Sequence, residues 1–297
     1  MDFRQLEAFV NVAKYKSFSK AGKALYLSQP TISLHIANLE KDLSVVLFDR
    51  TSKEVNLTPS GKEFLNYALD LINMKNKAVH QLNSSADAIS GTINISASIT
   101  PSLILLPRAI QTFQLEHPDV QFNVEEKNST LILEDVCSLT SDIGIVGMKV
   151  ENDRFISHHL FDDEIVFICS ADSEIGDVIC LEELSKYNLI NRLPQSSTRI
   201  ELERALVEQG HDISVLNTTL ETDILNLNLY LVEKNAGITY LSKSVYESYR
   251  KYLHIKSFNV RGVKICRAIY MITNRRRTLS PAAEDFIRIV KTLTPTP

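Results

Sequence analysis

Residues 17–40, SFSKAGKALYLSQPTISLHIANLE, admit few folds. They read as two short helices joined by a tight break. Ser19 is placed to cap the first, its hydroxyl accepting a free N–H of the opening turn. Ala21, Ala24 and Leu25 then share a face, and alanine there lets a second helix come close. Leu27 and Ser28 make the break. Ser28 is a second N-cap, and Pro30 falls in the first turn, where a missing N–H costs nothing. In the second helix Ile32, Ile36 and Leu39 recur at i, i+4 and i+7 as a buried stripe. The opposite face carries Gln29, Thr31, Ser33, Leu34, His35 and Asn38, short groups with little charge that suit base edges in a DNA major groove. On these residues alone, a helical hairpin with a polar outer face explains the pattern as well as a helix-turn-helix does.

The flanks favour the helix-turn-helix. MDFRQLEAFVNVAK (1–14) is amphipathic, with Phe3, Leu6, Phe9, Val10 and Ala13 expected inward as a third helix of a small core. After the second helix, Val46–Phe48 and Val55–Leu57 are short apolar runs around a polar turn, a β-wing that would lay Arg50 and Lys53 on phosphates. The pattern FRQLEAF…SFSKAGKALYLSQPTISLHIANLEKDL…LFDR…VNLTPSG resembles the N-terminal domain of LysR-type transcriptional regulators. The resemblance implies DNA contacts from Ser28, Gln29, Pro30, Thr31, Ser33, Leu34, His35, Asn38, Arg50 and Lys53. Two positions depart from the family pattern. Leu34 stands where a basic residue is common, and suits a thymine methyl better than guanine. Ser44 stands where glycine usually ends the reading helix, so a non-glycine residue must make the reversal at a small strain cost.

Thr58 and Pro59 open a long helix expected to run to about Ser90, roughly 45 Å at 1.5 Å per residue. Leu65, Ile72, Val79 and Ala86, with Ala68, Lys75, Leu82 and Ile89, form a heptad seam with one polar member. The seam either packs on the chain's own body or pairs with a second copy. The helix is too long for a small winged domain to cover, which favours a dimer. The resemblance implies the same, and a homotetramer beyond it.

From Thr92 the pattern alternates between strands (92–98, 120–126, 142–147, 164–170, 188–191, 214–220, 237–241, 264–273) and helices (102–116, 130–138, 198–210, 223–233), which points to parallel sheets in an α/β fold. A crossing near 163 and a return near 264 give two lobes with a cleft, and the resemblance extends to the closing stretch NRRRTLSPAAEDFIRIV. The expected architecture is therefore α/β with an N-terminal winged helix-turn-helix (1–58), a linker and dimerisation helix (59–90) and a two-lobed effector domain like a periplasmic binding protein (91–297; lobe I 92–162 and 264–297, lobe II 163–263).

In open α/β sheets ligands sit at strand carboxyl ends beside helix N-termini, which favour anions. Hydroxyls gather there: Thr100 and Ser102, beside Ile99 and Pro101; Ser129 and Thr130; Ser196, Ser197 and Thr198 with Arg199; Thr218, Thr219 and Thr222. Each alone is explained by capping preference. As a set, with Gly147 and Arg192, they outline a pocket for a small, negatively charged metabolite, as the resemblance implies. Arg199 either meets the effector or pairs with Glu203 at i+4. The segment SSTR resembles a Gly-Ser-Gly-Thr-Arg segment of family branches that handle sulfur oxyanions, without its glycines. Gly144 and Gly147 are better explained by strand–turn packing than by a phosphate loop.

Other chemistry is poorly supported. Cys137, Cys169, Cys180 and Cys266 are far apart, as expected for buried thiols in a reducing compartment. His158 and His159 adjoin on a strand and point opposite ways, so they cannot share an ion. The expectation is no enzyme, cofactor or metal. The net charge of −4 requires a DNA-binder to localise its positive charge. With no signal-peptide core or spanning apolar run, the chain is expected to be cytoplasmic and off the membrane. The reading is a ligand-responsive regulator on a dyad-symmetric operator. The rival is a solute-binding module without DNA function, which leaves the N-terminal pattern unexplained.

Overall fold

A computed structural model describes residues 1–49, 55–82 and 89–293. These form two compact units: Met1–Ile89 with Arg276–Glu284, and Ser90–Arg275 with Asp285–Pro297. No helix among the described residues is long and apolar enough to cross a membrane.

The first unit holds helices α1 (Phe3–Tyr15), α2 (Phe18–Ala24) and α3 (Gln29–Leu43), strands β1 (Phe48–Asp49) and β2 (Asn56–Leu57), and helix α4 (Pro59–Leu82). Asp2 and Gln5 cap α1 reciprocally. Leu6 and Phe9 are buried as expected, joined by Ala8 and Val12, whereas Phe3 is 42% exposed. The inward face is therefore rotated from the expected one. Helix α2 is capped by Ser17 and not by Ser19. Phe18 is anchored edge-on against Phe48, which starts the helix at that residue. Close approach of α2 to the next turn depends on Ala21 and Gly22 while Ala24 is exposed; a Cβ on Gly22 would lie 2.7 Å from the Leu27 carbonyl oxygen.

Ile32, Ile36 and Leu39 of α3 are fully buried. At its end Ser44 adopts a left-handed conformation, φ 57°. Ser44 N–H bonds to the Lys41 carbonyl and Val45 N–H to that of Glu40, the paired closure usually built on glycine. The Glu40 side chain accepts the N–H groups of Leu47 and Phe48, aligning β1 for its pairing of Phe48 with Leu57.

Thr58 caps α4, its hydroxyl accepting Gly61 N–H. The first turns of the heptad seam are covered by the unit's own core, while Val79 further along the seam is 50% exposed. Ala68 is fully buried and Leu65 and Ile72 pack on the core of α1–α3. Lys75 pairs with Glu7 at 3.0 Å. Periodicity located the stripe correctly, but the unit's own helices cover its first turns. The large apolar groups left outside are Tyr67, Leu71 and Met74, together with Val79 of the seam itself. A third face binds the segment 276–284: Asp70 accepts Thr278 N–H, Asn73 donates to the Thr278 carbonyl, and Lys77 meets Glu284 at 2.6 Å. Of the expected helix, 83–88, with Ala86, lies outside the described residues.

The second unit contains β3 (Gly91–Ala97), α5 (Ile99–Ile104), α6 (Leu106–Glu116), β4 (Val120–Glu126), α7 (Ser129–Cys137), β5 (Ile143–Val146), β6 (Phe155–Ser170), β7 (Val178–Ile179), α8 (Leu181–Leu184), β8 (Leu189–Asn191), α9 (Ser197–Glu208), β9 (Thr218–Glu221), α10 (Leu225–Glu233), β10 (Thr239–Ser242), α11 (Lys243–Tyr249), β11 (Ile255–Val260), β12 (Ile265–Asn274) and α12 (Pro281–Leu293). One sheet runs β4-β3-β5-β12-β6-β11-β7, with β10 also on β6. Its β3, β4 and β5 are parallel as expected. The centre is antiparallel, because β6 is far longer than expected and pairs along its length with β12, then with β10 and β11. The stretch 214–220 is a 3-10 turn at Ile213–Val215 followed by β9, not one strand. Separate cores flank the sheet: Ile132, Val136, Val146, Phe155 and Ile272 at one end, and Phe167, Leu202, Leu206, Tyr240 and Phe258 among those at the other.

Candidate DNA-reading face and effector pocket

The first candidate site is the outer face of α3. Ser28 accepts Thr31 N–H and shares a 2.8 Å hydrogen bond with the Thr31 hydroxyl, so both groups stiffen the N-terminal turn. Gln29, Pro30, Leu34 and Asn38 are exposed, Leu34 by 60%, and Ser33 and His35 are half-buried. The burial of Ile32, Ile36 and Leu39 fixes the rotation of the helix, and that rotation turns these groups to solvent. Arg50 and Lys53 lie outside the described residues.

The second is a cavity of about 230 Å³ in the second unit. Of the expected contacts, Ile99, Thr100, Ser129, Arg192, Ser196, Ser197 and Thr198 line it. Pro101, Ser102, Thr130, Gly147, Arg199, Thr218 and Thr219 do not line it, each for a definite reason. Pro101 is buried within α5, and Ser102 donates to the Ile99 carbonyl and to Glu126. Thr130 and Thr219 face solvent. Arg199 is held by Glu203 at 2.8 Å and Glu221 at 2.6 Å, so of its two readings the i+4 pair is the one formed. Thr218 accepts from Asn191 and lines a separate hollow with Arg199. Gly144 is packed among Ile132, Val136 and Ile272, as strand packing requires. Gly147 makes room for another residue: its Cβ would lie 2.8 Å from Ser197 Oγ and 3.0 Å from Arg267 Nη1.

Arg267 was not foreseen. It is 7% exposed on β12, directly across from Asp163 on β6. All five of its N–H groups are used. Nε and Nη2 donate to Asp163 Oδ2 at 3.0 and 2.9 Å. Nη1 donates to Ser197 Oγ at 3.0 Å and Thr198 Oγ1 at 2.8 Å, and Nη2 to Thr100 Oγ1 at 2.7 Å. Ser242 donates to the other Asp163 oxygen at 2.6 Å. One guanidinium therefore ties the first turns of α5 and α9 to the central strands. Burial pulls its pKa down, and the Asp163 carboxylate opposes that. The sequence signal was available: Arg267 is a lone charge at an inward position of an otherwise apolar strand, between buried Ile265 and Ile269.

The other lining cations are also paired. Arg192 meets Asp223 at 2.7 Å, and Lys127 meets Asp135 at 2.8 Å and Glu125 at 2.5 Å. Contact with Asp135, then Glu125, holds the Lys127 pKa above its usual value. Two buried hydroxyls on the wall, Ser98 Oγ and Ser129 Oγ, have no hydrogen-bond partner. Leu225, Leu241 and Val245 supply an apolar side. His158 and His159 diverge as expected, one to Lys291 and the other to Asp162.

Residues 3–62 match the family model for the bacterial regulatory helix-turn-helix protein of the lysR family, and residues 86–294 match the LysR substrate binding domain. A probable RuBisCO transcriptional regulator of Porphyra purpurea is 30% identical over 99% of this chain and 94% of its own length. A full-length OxyR variant from Pseudomonas aeruginosa superposes with a TM-score of 0.77 at 19% identity, covering 98% of this chain and 94% of that one. Full-length CbnR in complex with its target DNA gives 0.62 at 20% identity, over 98% and 99% of the two chains.

Proposed function

The chain belongs to the LysR family of transcriptional regulators, and from that premise we propose that it reads a dyad-symmetric operator with α3 and answers to a small molecule held in the Thr100–Ser129–Ser197 cavity. The observation that carries the DNA half is the solvent-facing run Gln29, Ser33, Leu34 and Asn38 above a buried Ile32–Ile36–Leu39 stripe. Ser33, His35 and Asn38 offer hydrogen bonds to base edges and Leu34 offers a methyl contact. Arg50 and Lys53 take the phosphate role that positions the reader. The outward groups Tyr67, Leu71 and Met74 on α4 suit pairing with a second copy, and two-fold pairing places two readers on two half-sites. Assembly into a tetramer and residence in the cytoplasm belong to the same reading. So does a division of the second unit at about 163 and 264 into lobes around the cavity. Effector binding would then shift the populations of states that differ in DNA affinity.

The test is a gel shift on the DNA upstream of the gene. A specific complex is expected, and it should weaken steeply between low and moderate salt, as counterion release requires. A Thr100→Val chain should keep that complex and lose its response to the effector. Absence of any specific, salt-sensitive complex would leave the rival reading, a solute-binding module, in its place.

A further inference from the structure

The cavity is dressed in hydroxyls, and its cations are already spent on carboxylates, while the lining carboxylate of Glu126 accepts from the Ser102 hydroxyl. Arg267, Arg192 and Lys127 each face a carboxylate within 3 Å. A ligand therefore finds no unpaired cation among the described lining residues. It does find hydrogen-bond donors. A hydroxyl that accepts from a guanidinium has its own proton left to give, and Arg267 puts Thr100, Ser197 and Thr198 in that state. Among the described residues, no hydrogen bond takes the protons of these three. Ser98 and Ser129 add two buried hydroxyls without partners, a costly arrangement unless something supplies the acceptor. The first turns of α5, α7 and α9 meet the cavity at Thr100, Ser129 and Ser197; Asn128 caps α7, whereas Ser196 leaves the N–H groups of α9 without a side-chain cap. Each helix N-terminus is equivalent to roughly half a positive charge. Helices α5 and α10 open on the cavity at Ile99 and Leu225 as well, but the Glu126 carboxylate on the same wall subtracts one charge, so the wall offsets about one negative charge and not two.

We propose that this cavity selects a small molecule bearing a single carboxylate, held by hydroxyl and backbone donors instead of an ion pair, and that Arg267 is the positioning residue that turns those hydroxyl protons toward it. Leu225, Leu241 and Val245 take the carbon body. The volume, about 230 Å³, keeps that body small. The inference rests on reading the cavity as the effector site. It narrows the expected small, negatively charged metabolite and departs from the sulfur oxyanions that the SSTR resemblance brings in, because a dianion would need a cation that the wall does not release.

The experiment is thermal unfolding and calorimetric titration of the full chain with propionate, lactate and benzoate against sulfate, phosphate and succinate at matched ionic strength. At least one monocarboxylate should bind saturably and raise the melting temperature, and the dianions should not. Ser129→Ala should weaken that binding roughly tenfold or more. Arg267→Lys keeps a cation beside Asp163 but offers three donors in place of five. It should lose most monocarboxylate affinity while still giving the DNA complex. Asp223→Asn releases Arg192 at the wall and should gain succinate affinity at least tenfold. Wild-type binding of the dianions as tightly as monocarboxylates overturns the proposal, as does binding of neither class. Unchanged selectivity in Asp223→Asn, or wild-type binding by Arg267→Lys, overturns it too. The function reading fails separately, and only if the chain also forms no specific DNA complex.

Discussion

Replacing Arg267 by methionine is expected to cost the second unit about 3–5 kcal/mol, the range for breaking a buried ion pair from one side. The loss is large because Asp163 is 2% exposed and keeps only the Ser242 hydroxyl once the guanidinium is gone. Thr100, Ser197 and Thr198 lose their donor in the same step. Urea unfolding of the full chain should show the transition of the second unit at a lower midpoint, with that of the first unit unmoved. Replacing both partners, Arg267→Met with Asp163→Leu, should recover much of the loss, since a buried pair is worth little against apolar residues of similar size. A single substitution costing under about 1 kcal/mol, the scale of an exposed pair, would mean the pair is not buried as described.

The second large effect is expected at Gly61→Ala. A Cβ there would lie 2.1 Å from the Leu47 carbonyl oxygen and 3.0 Å from Leu57 Cδ2. That carbonyl cannot swing away, because it accepts Thr58 N–H at 3.0 Å. The Thr58 side chain is also committed, donating to the Val46 carbonyl at 2.7 Å while capping Gly61. Relief requires moving the start of α4 away from the wing. The expected cost is at least about 1–3 kcal/mol of first-unit stability, the scale of an overpacked core, with loss of DNA binding. Circular dichroism melts and gel shifts check both. A variant with the parent's stability and DNA affinity would contradict the close approach.

Legibility from sequence followed the range of the interactions. The reading helix was legible because its determinants are local: the Ser28 cap, Pro30 and the stripe Ile32, Ile36 and Leu39 lie within one element. The hydroxyls at Thr100, Ser129 and Ser197 were legible because a general rule places ligands at such helix starts. What covers a stripe was not legible. Leu65, Ala68 and Ile72 mark an apolar face equally well whether a second copy or the α1–α3 core lies against it. The Arg267–Asp163 pair was hidden because it joins strands 104 residues apart, and only the register of β6 on β12 brings them opposite. The length of β6 was missed for a related reason: His158, His159, Asp162 and Asp163 interrupt the apolar alternation that marks a strand.

The most direct test of the central claim is a competition binding measurement on the operator with Ser33→Ala, Leu34→Ala and Asn38→Ala chains. Discrimination between operator and scrambled DNA is set against each variant's thermal stability. Asn38→Ala should lose about 1–3 kcal/mol of discrimination, the worth of a good bidentate pair, and Ser33→Ala and Leu34→Ala a smaller but measurable part, while each melts within a degree or two of the parent. Parental discrimination in all three, with stability intact, would show that this face of α3 does not read DNA.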